Sequence, residues 1–299
     1  MKFDMHCHTA EGSIDARISI RDYAQLLKDQ GFSGMLVTDH DSYNGYRHWK
    51  LHRASMPKDF LVLKGIEYDT RDAGHYIVIM PDGVNLRLLE MRGMSVESLI
   101  RLVHDYGGVL GPAHPFGMKS SSAMFYRKMM RDTDLMSHFD FLEGLNACEK
   151  ASSNSRARDL AEQYDLPCIG GTDAHVRKYV GLAYTIFDRD ITCNNDMIES
   201  IRERGIVAFG GREREYRRIH EKRNLAVTTW SFKAFNFTMG KILAPVRNHR
   251  LNQALEDKKN LLQAAVVQAG HRREKAEHAA PPAERSGISA MTDHVGQRE

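Results

Sequence analysis

Gly34-Met35-Leu36-Val37-Thr38-Asp39-His40 is a short apolar run that ends, without a break, in a hydroxyl, a carboxylate and an imidazole. Four successive residues without a polar side chain fit a strand covered on both faces, as in a parallel sheet. Just before it, Ile20, Tyr23, Ala24, Leu26 and Leu27 recur at helical spacing, and Gly31 supplies a C-cap. A helix that stops at a glycine and feeds a buried strand is half of a β/α unit. Polar residues at the carboxyl end of such a strand face the mouth of a parallel barrel.

The same arrangement recurs in both directions from this stretch. Phe3 to Met5 predicts a strand running into His6, and strands are expected over 60–66 and 76–80, the latter closed by the turn Pro81-Asp82-Gly83. The spacing predicts a helix over 95–106 with Ser95 as N-cap, and others near 153–164 and 195–204. Further strands are expected over 108–110, 139–145, 168–170 and 206–209. Repeated strand–helix alternation implies a parallel sheet with right-handed crossovers. Roughly seven units in the first ~210 residues favour an α/β fold closed into a β/α barrel over an open doubly wound sheet. No GxGxxG follows the first strand and no GxxxxGK[ST] occurs, which removes the usual support for a dinucleotide or NTP site.

Composition changes at Gly210-Gly211, so the barrel is expected to occupy 1–211, a helical extension 212–275 and a disordered tail 276–299. Residues 212–223 are almost wholly charged. Phe232, Phe235, Met239 and Ile242 fall on one helical face, with Lys233 and Lys241 nearby. Leu251, Leu255, Leu262 and Val266 form a second stripe. The 227–246 segment therefore either packs on the barrel's flank or contacts a partner or a membrane surface. The chain has 299 residues, 42 Lys plus Arg against 39 Asp plus Glu, and a net charge of +3, too small a bias to indicate nucleic acid or membrane by charge alone. Four cysteines without a CxxC pair, no apolar run after Met1 and no stretch near the ~18 apolar residues of a spanning helix lead to the expectation of a reduced, cytoplasmic protein with no transmembrane segment.

Metal-ligand residue types gather at the predicted strand ends. His6 and His8 alternate on an extended segment and point to one face, with Cys7 opposite and packed. His40 follows one strand and Glu67 the next. His114 stands in Pro112-Ala113-His114-Pro115, and Asp173 and His175 in Gly171-Thr172-Asp173-Ala174-His175. Five separated segments thus deliver imidazoles and carboxylates to one mouth. A catalytic zinc uses about three protein ligands, so these seven groups imply at least two ions. Glu11 or Asp15, and His75, could raise the number to three, with Glu67 bridging. Mixed N/O ligation without thiolate suits Zn, Mn or Fe. Glu143 and Asn146 end another strand and are expected to support the ligands. Arg17, Arg47, Arg71, Arg177 and Lys178 lie near the strand-end motifs. Of these, Arg177, two residues after His175, is the favoured phosphate partner.

In order and rough spacing, His6-x-His8, Thr38-Asp39-His40-Asp41, Gly65-Ile66-Glu67, Ala113-His114-Pro115 and Gly171-Thr172-Asp173-Ala174-His175 resemble the PHP (polymerase and histidinol phosphatase) family across residues 1 to about 210. Gly181-Leu182-Ala183-Tyr184-Thr185 resembles a segment that follows the last motif in stand-alone members. The resemblance implies a distorted seven-stranded β/α barrel with a C-terminal helical extension and a centre of two or three divalent ions that hydrolyses phosphate esters. By this likeness His6, His8, Glu67 and Asp173 hold a first ion, Glu67 and His114 a second, and His40 and His175 a third. The family often has His or Asp five or six residues after the second histidine. Ser13 and Ile14 stand there, which leaves Glu11 or Asp15. His75 corresponds loosely to a family ligand that follows the bridging glutamate. The implied reaction is in-line attack by metal-activated hydroxide, with Asp173, His175 and Arg177 carrying catalysis and the third ion or His175 assisting the leaving oxygen. The expected substrate is a small phosphomonoester, a nucleotide or an oligonucleotide end, not long duplex nucleic acid. Two rivals stand beside it: a metal-holding scaffold that recruits a partner through its C-terminal helices, and a C–N bond hydrolase.

Overall fold

In a computed structural model that describes residues 1–117, 121–215, 231, 234, 235, 237–261 and 263, the first strand, β1 (Lys2–Cys7), has a neighbour on each side. Parallel to it lies β2 (Gly34–Val37), reached through helix α1 (Ile20–Asp29), and β2 pairs in parallel with β3 (Leu61–Asp69) after helix α2 (Asn44–Leu51). Ser19 caps α1 by accepting from the Asp22 amide. β3 turns back into β4 (His75–Ile79), and helix α3 (Val96–Asp105), capped by Ser95, leads to β5 (Val109–Pro112). Short helices α4 (Arg127–Arg131) and α5 (Thr133–Met136) precede β6 (Leu142–Asn146), helix α6 (Ala151–Gln163) and β7 (Cys168–Gly171). Strand β8 (Ala183–Phe187), helix α7 (Asn194–Arg202) and strand β9 (Ile206–Gly211) complete the series, and residues 237–255 are helical.

Seven strands hydrogen-bond in the order β5-β4-β3-β2-β1-β8-β9, and β6 and β7 form a separate parallel pair. The sheet curls so that this pair bridges toward its other strands. The Asp140 amide donates to Leu110 O of β5 at 3.0 Å, and the Asp173 amide to His6 O of β1 at 2.8 Å. The α/β class holds, with a curled seven-stranded sheet. The uniformly parallel sheet expected from the sequence does not form, because β3–β4, β4–β5, β1–β8 and β8–β9 are antiparallel. The reason for the first lies in the linker: residues 70–74 are too few for a crossover, and Gly74 at φ +80° closes a hairpin instead. Strand β8 was not foreseen; its burial alternates along Ala-Tyr-Thr-Ile-Phe.

Inside the curl, Phe3, Met5, Leu36, Leu63, Ile77, Val109, Phe141 and Ile169 pack together with Met197, Ile198 and Ile201 of α7. Outside it, Tyr23, Ala24 and Leu27 of α1 cover Met35 and Val37 of β2. β1 contains a bulge between Asp4 and Cys7, where three steps of β1 match two of β2. The extra residue shifts the phase of the strand. Phe3 and Met5 face the interior, Asp4 and Cys7 turn toward α1, and His6 and His8 return to the interior.

Among the described residues the chain divides into units 1–255 and 256–299; in the second, 256–261 and 263 are helical. Residues 216–223 of the charged run, Phe232, Lys233, Leu262, Val266 and the expected tail 276–299 lie outside the described residues. No helix among the described residues is long and apolar enough to cross a membrane. In the first unit, Leu251 joins the cluster built on α3 and α6, and the Arg247 guanidinium donates to Arg92 O at 2.7 Å and Gly240 O at 3.0 Å. Gly93, at φ +92°, permits this approach: a Cβ there would lie 3.0 Å from Arg247 Nη1 and 3.2 Å from Gly240 Cα. Gly93→Ala is therefore expected to cost roughly 1–3 kcal/mol, read as a lowered denaturation midpoint.

Candidate metal centre

The candidate ligands converge from several elements: His6 and His8 from the end of β1, His40 after β2, Glu67 in β3, His75 at the start of β4, His114 after β5, Asp173 and His175 after β7, and Asp15 from the loop before α1. Along β3, alternation puts Leu63, Gly65, Glu67 and Asp69 on the inner face, while Ile66 and Tyr68 pack outward. Glu67 becomes the hub. Its Oε1 lies 2.8 Å from His114 Nε2 and 2.9 Å from His75 Nδ1. Its Oε2 lies 2.8 Å from His40 Nδ1, 3.4 Å from His8 Nε2 and 3.6 Å from His6 Nε2, and has no hydrogen-bond partner although fully buried. His6 Nε2 and His8 Nε2 face one another at 3.1 Å, near the ~3.3 Å separation of two nitrogens that share a tetrahedral ion at 2.0–2.1 Å.

Four overlapping groups bring ligand atoms within 4.8 Å of one another: His6, His8 and Glu67; His6, His114 and Asp173; His40, Glu67 and His75; and His8, His40 and His175. Asp173 Oδ1 stands 3.2 Å from His8 Nε2 and 3.7 Å from His6 Nε2. Asp15 Oδ2 stands 3.2 Å from His175 Nε2 and 3.6 Å from His40 Nε2. Glu11 turns away, accepting from the Ile20 amide. Of the two acids the sequence left open, Asp15 thus sits beside the His8–His40–His175 group. Arg177 is exposed in the turn after His175, and no hydrogen bond or ion pair joins it to the cluster among the described residues.

The histidines are oriented as ligands are. His6 Nδ1 donates to Glu143 Oε1 at 2.9 Å, while His8 Nδ1 pairs with Ser13 Oγ at 3.2 Å and His114 Nδ1 with Ser122 Oγ at 3.3 Å. His175 Nδ1 donates to Asp173 O at 3.0 Å. Fixing one ring nitrogen leaves Nε2 of all four rings aimed at the centre. Glu143 also accepts from the His114 amide at 2.6 Å and from Asn146 Nδ2 at 3.1 Å, so one carboxylate braces ligands from two elements. Asp39, which follows Thr38, does not enter the cluster. It accepts from Thr9 N, Thr9 Oγ1 and Ser13 Oγ and holds the loop that carries Asp15.

Backbone strain marks the same places. Asp41, His114 and Asp173 have φ of +45°, +31° and +51°, left-handed conformations held by the surrounding bonds. Electrostatics favour positive charge at the centre. Burial alone would raise the Glu67 carboxyl, but His75, His40 and His6 hold it well below the usual range. Burial would lower His6, but Glu143, Asp173 and Glu67 raise it well above its ordinary value. Burial brings His8 down to about 3 and His75 to about 4, leaving both rings neutral, the form that ligates. The donor set, the orphaned Glu67 oxygen and the short nitrogen–nitrogen approach all fit divalent ions.

The sequence reading missed Asp69 and Arg92. Asp69 Oδ1 is 3.6 Å from His75 Nε2, and Arg92 pairs with Asp41 at 2.7 Å and with Asp69 at 3.7 Å. The two-residue step from Glu67 to Asp69 was a usable signal. Arg92 offered none, since it lies in irregular backbone between β4 and α3.

A family model described as PHP-associated matches residues 151–206, the stretch that contains Asp173 and His175. No curated protein matches the chain. Among solved structures, PsfC from Pseudomonas syringae is similar at 17% identity over 78% of this chain and 97% of its own, with a TM-score of 0.54. A two-domain protein from Bacteroides vulgatus, containing a predicted PHP-like metal-dependent phosphoesterase, is similar at 16% identity, 71% and 65% coverage and a TM-score of 0.54. Endonuclease Q, in complex with a 27-mer duplex bearing an abasic lesion at its active site, is similar at 17% identity, 76% and 66% coverage and a TM-score of 0.55. The chain thus spans about two thirds of the last two proteins, and at these identities the likeness is one of fold. Curled sheet, C-terminal helix and matched segment together give this chain a PHP-like α/β fold with a PHP-associated segment at residues 151–206.

Proposed function

We propose that the chain hydrolyses small phosphate esters at a centre of two or three divalent ions. The observation that carries this reading is Glu67, whose two buried oxygens face five imidazole nitrogens from five different positions. On this reading His6, His8, Glu67 and Asp173 hold one ion, and Glu67, His114 and His75 a second. His40, His175 and Asp15 hold a third. Divalent ions so held supply a nucleophilic hydroxide at neutral pH and neutralise phosphoryl oxygens. The chain's own residues set the geometry. Glu143 and Ser122 fix the rings of His6 and His114, and the buried strand ends exclude bulk water. Asp15 and His175, partly exposed at the rim, serve on this reading as ligands to the third ion, and the bond from His175 Nδ1 to Asp173 O fixes the ring for that duty.

The full chain, loaded with Mn²⁺ or Zn²⁺ and screened against small phosphomonoesters, is expected to release inorganic phosphate. Release of ammonia from C–N substrates instead would transfer the centre to the rival chemistry. Stoichiometric metal without turnover would leave a scaffold. Asp15→Asn is expected to weaken the third ion about 10–100-fold, seen as a drop in bound metal per chain by mass spectrometry. Unchanged metal content would remove Asp15 from the ligand set. The net charge of +3 keeps long duplex nucleic acid a less suitable substrate.

A further inference from the structure

Beside the metal cluster lies a cavity of about 740 Å³ that the proposed chemistry has not used. Its size falls within the range of small-molecule sites, roughly 300–1,000 Å³. Asp69 belongs to both places: it lines the cavity and stands 3.6 Å from His75 Nε2. The remaining charged groups in the lining are all cationic: Arg71, Arg92, Lys241 and Arg247. Tyr126 and Phe237 add rings, and Lys241 Nζ lies 4.2 Å from the Phe237 centroid.

Arg247 is the unusual member. It is 2% exposed, its Nε has no hydrogen-bond partner, and no carboxylate pairs with it among the described residues. Its two known acceptors, Arg92 O and Gly240 O, are neutral carbonyls. A buried guanidinium without an anion is costly and is ordinarily matched by one. Arg92 is already shared by Asp41 and Asp69, whereas no salt bridge engages Arg71 or Lys241 among the described residues. Among the described residues, the cavity is therefore deficient in negative charge by more than its own acid can supply.

We infer that this cavity receives the alcohol portion of the substrate, and that this portion is an organic group bearing its own oxyanion, a carboxylate or a second phosphate. The role rests on the phosphoesterase reading; the anion site does not. It also gives the C-terminal helix a task, because Phe237, Lys241 and Arg247 form one wall, and the β3 end and the 92–93 loop form the other.

The test is calorimetric titration of the metal-depleted full chain with phenyl phosphate, para-carboxyphenyl phosphate and para-phenylene bisphosphate. At least one doubly anionic ligand should bind about tenfold tighter than phenyl phosphate, the scale of one charge-assisted hydrogen bond. Which of the two is preferred distinguishes carboxylate from phosphate. The double variant Arg71→Glu, Lys241→Glu changes two exposed side chains and should erase the preference. Arg247→Met, which keeps the stem of the buried side chain, should do likewise. No preference in the wild type, or its survival in the double variant, overturns the inference. A parallel phosphate-release assay on the metal-loaded chain separates the two proposals. Turnover with no preference for a second anion refutes the pocket alone. The preference without turnover upholds the pocket and refutes the phosphoesterase.

Discussion

Glu67→Gln should strip at least one divalent ion from each chain and lower phosphate release about a thousandfold. The substitution conserves volume in a site with no room to spare, so packing is not the variable. What changes is that one of two oxygens becomes an amide nitrogen. Oε1 faces His114 and His75, and Oε2 faces His40, His8 and His6, so either orientation of the amide turns a donor toward a site that needs a lone pair. Loss of several kcal/mol of charge stabilisation corresponds to roughly three orders of magnitude in rate. Metal content by mass spectrometry and phosphate release by colorimetry, with circular dichroism to verify folding, decide the matter. A Glu67→Gln variant with full metal and full turnover would end the bridging role.

Asp173→Asn should be the second most damaging change, with metal-dependent phosphate release down about a hundredfold to a thousandfold. Asn accepts the left-handed backbone at φ +51° as readily as Asp, so the turn is preserved. The amide also keeps a partner in Asn146, whose Nδ2 lies 3.2 Å from Oδ2. The charge opposite His8, His6 and His175 is what disappears. Because the His40–Glu67–His75 group is untouched, this variant should lose fewer ions than Glu67→Gln. Equal metal loss in the two variants would mean that the groups do not fill independently, and wild-type release by the metal-loaded variant would remove Asp173 from the machinery.

Much of this was readable in the chain because the signals are local. A buried strand followed at once by Asp-His, Glu or His needs only period and position to be recognised. The hairpin after Asp69 was harder, since the same residues serve as a strand whether or not the next strand reverses. What decides is a five-residue linker with a glycine. Asp15 and Glu11 could not be separated in sequence, because the choice depends on the loop that Asp39 holds in place. Arg92, Asp69 and Arg247 meet only when residues more than 150 positions apart come together at the C-terminal helix. No periodicity encodes such a meeting. Phe235 and Ile242, read as part of an apolar face, are about half or more exposed, while the buried anchor of that helix is a cation.

The irregularity in the opening strand has a wider consequence. The extra backbone step lets two neighbours, Met5 and His6, both look inward, one into the apolar core and the other into the ligand cluster. Removing one residue at that step would leave plain alternation, in which Phe3, His6 and His8 still look inward and Cys7 outward, at the cost of the Met5 side chain in the core. Related chains should therefore tolerate loss of the extra step, whereas the His-x-His spacing after it must stay at two.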